Sequence, residues 1–295
     1  MNTIDLTYAG LGIHEELVAY VADQQDYYEE EGVHVAIRDG RPWDSERIRR
    51  TATIGLGRAV VTRLTTGIPW TVLCVNTHRP MFWLLARDNY GSVEELKGRR
   101  IGIHPRQSAP GLFSRIVLRG YGLDPDHDVE PVAMRPGDYS HHLRDLAEGT
   151  LDAAFVGSTL APEVTAQEKG LRILTYVGDH FSIPTVGVAV DPTHLAPDDP
   201  AVLALVRANR RALRTIHDEP DLAARYINNL IPSLTETQAR QHYERYVAQQ
   251  FNVDGRDDPS IAAQAVPAVA KELGVSTMPD IAEIYRTEAA EGTAA

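Results

Sequence analysis

The sequence predicts an α/β protein of two lobes with a helical C-terminal part. Three observations carry that prediction. Short apolar stretches alternate with helix-period stretches as far as Val75. The same rhythm restarts at Met81, and from Pro200 onward the strand signal gives way almost entirely to helix.

Residues 4–9 alternate apolar and polar, as a half-buried strand does, and Gly10-Leu11-Gly12 supplies a turn. A helix starts at His14, with Leu17, Val18, Val21 and Ala22 at helical spacing. It is expected to reach about Glu31, with Gly32 as its C-cap. Residues 33–37 read as the next strand, broken by Asp39-Gly40-Arg41-Pro42. A helix over 44–51, a loop over 53–57 and a helix over 58–66 lead to a strand over 70–75. Such strand–helix alternation predicts a largely parallel sheet.

The second unit begins with an apolar strand over 81–86. Ser92 is placed as N-cap of a short helix over 93–96, and a strand follows over 101–103. Ser108 is the expected N-cap of a helix reaching Gly120. Strands are expected over 129–133, 153–156 and 172–177, and helices over 142–148 and 162–169. A return strand over 185–190 then divides the chain. Residues 1–80 and 186–295 form the first lobe with the C-terminal helices, and residues 81–185 form the second. Residues 286–295 are small and polar and are expected to fray.

Composition narrows the function classes. Of 295 residues, 43% are hydrophobic, 24% are charged and the net charge is −12, so the chain is globular and acidic. That charge argues against nucleic acid or an anionic membrane as main partner. The single cysteine, Cys74, excludes an intramolecular disulfide and a cysteine-rich metal or iron–sulfur centre. No apolar run reaches membrane-spanning length, so membrane insertion is not expected. Met1 is followed directly by a strand, without a basic and then apolar leader and without a lipoprotein cysteine. As written, the sequence reads as cytoplasmic; a processed form would be periplasmic or extracellular.

Three stretches carry a family resemblance. They are Ser92-Val93-Glu94-Glu95-Leu96-Lys97-Gly98-Arg99-Arg100-Ile101-Gly102-Ile103, Gly149-Thr150-Leu151-Asp152-Ala153-Ala154-Phe155-Val156, and Glu168-Lys169-Gly170-Leu171-Arg172-Ile173-Leu174. In order and spacing the chain resembles the type II periplasmic-binding-protein fold of the NMT1/THI5-like branch, over about residues 4–230. The resemblance implies an interlobe ligand cleft. It also implies kinship with solute-binding proteins for sulfonates, taurine, nitrate and thiamine-pyrimidine precursors. These are scaffold motifs, which mark the fold and hardly touch the ligand. Two enzyme branches share the scaffold. The biphenyl desulfinases carry a cysteine after the first strand, where this chain has Leu11, and the yeast-type pyrimidine synthases carry a cysteine-rich motif that is missing here.

Ligands of open α/β sheets sit at the carboxyl ends of strands. That rule nominates Gly10, Leu11, Gly12 and His14; Gly55, Leu56, Gly57 and Arg58; Arg106, Ser108 and Ala109; and Gly157, Ser158 and Thr159. The helix start at Ser108-Ala109 suits an anion, with Arg106 adding a charged hydrogen bond; the plain alternative is an ordinary N-cap. Arg58 either reaches the cleft or lies on a solvated helix face. Gly55-Leu56-Gly57 lacks the third glycine of a dinucleotide fingerprint.

His141-His142 point about 100° apart on a helix and do not chelate as an i, i+4 pair would, so neither a metal nor a cofactor is expected. His14 and His180 are the candidates for proton transfer, against a surface or hinge role for each. Tyr8, Trp43, Phe82 and Tyr139 are available to stack on an aromatic ligand, whereas Trp70 and Trp83 occupy strand positions that favour the core. Two functions stay open. One is binding of a small anionic or heteroaromatic molecule, as in the solute-binding component of an ABC importer with a permease partner. The other is a lyase, a decarboxylase or desulfinase, acting on an aromatic carboxylate or sulfonate.

Overall fold

A computed structural model describes residues 2–133 and 139–288. The first lobe opens with β1 (Asn2–Tyr8), α1 (Ile13–Gln24), α2 (Tyr27–Glu30) and β2 (Val33–Asp39). It continues with α3 (Ser45–Arg49), β3 (Ala52–Thr53), α4 (Leu56–Thr66) and β4 (Thr71–Thr77). The second lobe contains β5 (Phe82–Arg87), a 3-10 turn at Glu94–Leu96, β6 (Arg100–Ile103), α5 (Ala109–Gly120) and β7 (Glu130–Ala133). It ends with α6 (Ser140–Glu148), β8 (Ala153–Gly157), α7 (Pro162–Lys169), β9 (Leu171–Tyr176) and α8 (Val177–His180). After β10 (Val186–Val190) come α9 (Pro200–Asp218), α10 (Pro220–Leu230) and α11 (Glu236–His242). A π-helical turn (Tyr243–Val247), α12 (Pro259–Leu273) and α13 (Ile281–Ile284) complete the chain.

Among the described residues two five-stranded sheets form, ordered β2-β1-β3-β10-β4 and β7-β6-β8-β5-β9. The sheets are largely parallel, as expected, with one reversed strand in each. β1 pairs in parallel with β2 and β3, and β6 with β7 and β8. However, β10 runs antiparallel to β3 and β4, and β5 runs antiparallel to β8 and β9. β5 and β10 are the strands that enter each sheet from the other lobe, and each arrives reversed. A strand–helix rhythm alone does not encode that reversal.

Local differences have local causes. The first helix stops at Gln24 because Asp26 adopts a left-handed conformation, φ 57°, before α2 resumes. Ser92 does not cap: the turn starts at Glu94 with no side-chain cap at Val93. The loop expected over 53–57 is shortened at both ends, by β3 and by α4, which begins at Leu56. Of the fraying tail, Arg286 and Thr287 are anchored. The Arg286 N–H donates to the Val72 carbonyl at 2.8 Å, and Thr287 Oγ1 accepts from the Asp257 N–H at 3.1 Å. Residues 289–295 lie outside the described residues.

Leu96, Ile101, Leu151 and Phe155 are buried and anchor the turn and strands of the second lobe. Asp152 bridges there, accepting from Tyr90 Oη at 2.6 Å and from the Arg100 N–H at 3.0 Å. The C-terminal helices touch both lobes. α9 packs on α1 and on β1, while α12 packs on α4 of the first lobe and α5 of the second. The second of these contacts is charged: Arg115 on α5 donates to Glu272 on α12 at 2.7 Å, with both side chains buried. From the π-helical turn, Tyr246 donates to Glu163 on α7 and meets the Trp83 ring edge-on at 5.0 Å.

Candidate functional site

A cavity of about 350 Å³ lies between the two sheets. All four nominated loops reach it. The first lobe contributes Gly10, Leu11, His14, Gly55, Gly57 and Arg58, with Glu15, Arg41 and Thr185 beside them. The second contributes Ser108, Ala109, Gly157, Ser158 and Thr159, with Phe82, His104 and Tyr139. Three nominated residues are placed elsewhere. Leu56 is the first residue of α4 and turns inward, fully buried in the core. Arg106 points outward and pairs with Asp126 at 3.4 Å. Gly12 is consumed by the contact between the lobes. His180 is exposed and bonds Tyr121 Oη at 2.8 Å, outside the cavity, which removes it as a proton-transfer candidate there.

The contact at Gly12 joins the lobes through a helix end. The first N–H groups of α1 would otherwise be unpaired. Ile13 N–H donates to the Ser158 carbonyl at 3.1 Å and His14 N–H donates to Ser158 Oγ at 3.0 Å. Gly12 has φ 100°, and a Cβ there would fall 2.4 Å from the Ser158 carbonyl carbon, so only glycine permits the approach. At Gly57 a Cβ would lie 2.7 Å from that of Ala109, which brings the starts of α4 and α5 together across the cleft. Ser108 does cap α5, accepting from Gly111 N–H at 3.3 Å while its hydroxyl donates to the Pro105 carbonyl at 2.7 Å. Its hydroxyl is therefore committed, and Pro110 has no N–H to offer. The cation least engaged by the protein lies elsewhere on the wall.

It is Arg58. Among the described residues its guanidinium has no ion-pair partner, and burial holds its pKa below the ordinary arginine value, with Glu15 opposing. Arg41, the other cation on the wall, is engaged by Asp39 at 2.7 Å. Burial pushes the Glu15 carboxyl up to about 7, against the pull of the Ala9 and Gly10 backbone and of Arg58, and its Oε2 is buried without a hydrogen-bond partner. The histidines are neutral. Burial pushes His14 down to about 3, partly offset by the Arg79 backbone, and burial with His142 nearby pushes His104 down to about 4. His14 Nε2 and His104 Nδ1 are buried and unpartnered, while His104 Nε2 meets Tyr139 Oη at 3.1 Å. Burial and Glu15 raise the Tyr139 phenol, keeping it neutral.

These rings form one wall. His14 meets Phe82 edge-on at 6.1 Å, Phe82 meets His104 at 5.5 Å, and His104 meets Tyr139 at 5.7 Å. Of the other aromatic candidates, Trp70 and Trp83 are core residues, as their strand positions suggest. Trp43 is covered by the Arg47 guanidinium at 3.6 Å, and neither Trp43 nor Tyr8 lines the cavity. Cys74 is buried in β4, with burial pushing its thiol up to about 11, so it is inert. Among the described residues no cluster fit to hold a metal occurs.

Among the lining residues that sequence reasoning passed over, the polar ones that bear on charge and hydrogen bonding include Glu15, Arg41, Thr185 and His104. His104 directly follows β6, and the strand-end rule pointed two residues beyond it. Glu15 stands in the first turn of a helix, where an acid needs no functional explanation.

A model of the family described as NMT1/THI5 like matches residues 15–223. The alkanesulfonate-binding protein SsuA from Xanthomonas axonopodis pv. citri, bound to MOPS, superposes with a TM-score of 0.74 at 12% identity, covering 97% of this chain and 98% of that one. A Candida albicans protein described as having the generic periplasmic binding protein fold gives 0.75 at 15% identity, with 97% of each chain covered. A mutant of the desulfurization enzyme DSZB in complex with biphenyl-2-sulfinic acid gives 0.70 at 16% identity, covering 99% and 98%. At these identities the likeness concerns the fold.

Proposed function

The chain belongs to the NMT1/THI5-like family, and from that premise we propose that it binds a small anionic molecule with a flat, ring-shaped body in the interlobe cavity. One observation carries the reading: Arg58 is a half-buried cation on the cavity wall with no ion-pair partner among the described residues. A desolvated guanidinium left unpaired is costly, and a sulfonate or carboxylate meets its fork with charged hydrogen bonds. The rings of His14, Phe82, His104 and Tyr139 give the ligand body an apolar, neutral face to lie against. The Ser158 contact with α1 closes the lobes around it.

The role this supports is that of the solute-binding component of an ABC importer. One similar structure is named as an alkanesulfonate-binding protein, and another is described as the ligand-binding component of an ABC-type import system. An ABC permease is then the partner, and the protein works on the outer side of the membrane.

A second reading, a lyase on the same scaffold, is favoured by Glu15, whose carboxyl can carry a proton near neutral pH. The nucleophile position of the desulfinases is held here by Leu11 on the cavity wall, which removes cysteine chemistry from that reading.

Thermal-shift screening with aromatic sulfonates, aromatic carboxylates and pyrimidines tests the proposal. A ligand at a hundred times its Kd stabilises the folded state by about 2.7 kcal/mol, and Arg58→Gln should abolish that stabilisation. Hits unaffected by Arg58→Gln would sink the site. Product formation from any hit, followed by mass spectrometry, would replace the binder with the lyase.

A further inference from the structure

Glu15 and Arg58 share a small cavity without forming an ion pair. That arrangement sets a charge problem for any anion that enters. With Glu15 ionised, the two groups already cancel, and an incoming anion leaves a net negative charge in an enclosed space. With Glu15 protonated, the anion and Arg58 cancel, and the new O–H becomes a donor.

Burial favours the protonated form of Glu15, against the hydrogen bonds of the Ala9 and Gly10 backbone and the charge of Arg58. On its own helix, Glu16 repels it; across the cleft stands the neutral Tyr139 phenol. Arg58 on α4 is the one cation acting on it, because Arg41 is held by Asp39. His14 and His104 are uncharged and add no positive potential. Gly10 lies against the carboxyl, where a Cβ would come within 3.5 Å of Oε1. The other oxygen, Oε2, is buried and bonded to nothing. A buried carboxylate oxygen without a donor is costly, whereas a protonated one can donate a strong, charge-assisted bond to a bound anion.

We propose that anion uptake in this cavity takes up one proton from solvent, held on Glu15, so that the site accepts its ligand as an anion together with a proton. The inference rests on the cavity being the ligand site and adds how that site is regulated by pH. The atoms balance simply: solvent H⁺ joins the Glu15 carboxylate, no bond of the ligand changes, and release returns the proton. Because Glu15 titrates at about 7 in the free protein, affinity falls through neutral pH.

Benzenesulfonate is a suitable probe, since it is ionised at every pH used and brings no titration of its own. Calorimetric titration in buffers of different ionisation enthalpy reads the proton count directly. The wild type should bind about tenfold more weakly at pH 8 than at pH 6, with close to one proton taken up per anion at pH 8. Glu15→Gln should bind with the same affinity at both pH values and take up none. Infrared difference spectra of wild type with ¹³C-labelled glutamate should gain a protonated-carboxyl band on addition of the probe at pH 8, a readout that does not depend on the variant folding. Binding with no proton uptake, or uptake that persists in Glu15→Gln, overturns the proton coupling and leaves the binding reading intact. Absence of binding at either pH overturns both.

Discussion

Glu15 makes a stability statement independent of any ligand. Its carboxyl is raised from 4.5 to about 7 on folding. A raised carboxyl contributes stability that is full below pH 4.5 and lost as pH rises through 7. Replacing Glu15 with Gln should therefore leave stability near pH 4 unchanged and raise it by up to about 3 kcal/mol above pH 7, because each tenfold change in proton affinity is worth about 1.36 kcal/mol. Urea unfolding of both proteins at pH 4.5, 6 and 8 measures this; a gain independent of pH would refute it. At this scale the sequence was legible by loop and not by side chain. The four loops the strand-end rule nominated all line the cavity, because topology sets where they gather. The rule could not tell that Leu56 turns into the core or that Arg106 turns to Asp126, since those directions depend on where each helix begins and on partners distant in sequence.

Between elements, the start of α1 is the contact most sensitive to one atom. Gly12→Ala places a Cβ into the Ser158 backbone at a left-handed φ, so the lobes should be held apart. The expected result is a larger radius of gyration in solution scattering and loss of ligand-induced thermal shift. An unchanged radius with intact binding would show that the contact is dispensable. The α5–α12 contact predicts differently. Both Arg115 and Arg119 donate to Glu272, so the double replacement Arg115→Ala/Arg119→Ala leaves it buried and uncompensated, which should destabilise the protein by about 3–5 kcal/mol in denaturant unfolding. Periodicity placed most helices and strands within a few residues. It missed the break at Asp26, which rests on a left-handed residue other than glycine, and the reversed strands β5 and β10, whose direction is fixed by the crossings between lobes.

For the whole molecule, the buried histidines govern the acid side. His14, His104 and His242 are pushed from 6.5 to about 3, 4 and 4 by burial. The unfolded chain therefore binds about three more protons than the folded one between these limits, while Glu15 returns one below pH 7. The net of two protons should lower stability on the order of 2 kcal/mol per pH unit as pH falls from about 6 to 4.5. Denaturant midpoints across that range check the slope, and a flat profile would contradict it. Lobe architecture and the helical C-terminal part were visible in the sequence, because both follow from the order of strand and helix signals. The bridging of both lobes by α12 was not, since an amphipathic helix does not name what it packs on. The strand order has a consequence for synthesis as well. The second sheet is drawn wholly from residues 82–176, whereas β10, at residues 186–190, is inserted between β3 and β4 of the first. On the ribosome, the first-made strands wait with exposed edges at β3 and β4 until that segment emerges. The nascent chain thus completes its later-encoded lobe before its earlier one, and the N-terminal strands are the part exposed to chaperones and to mispairing in the interval.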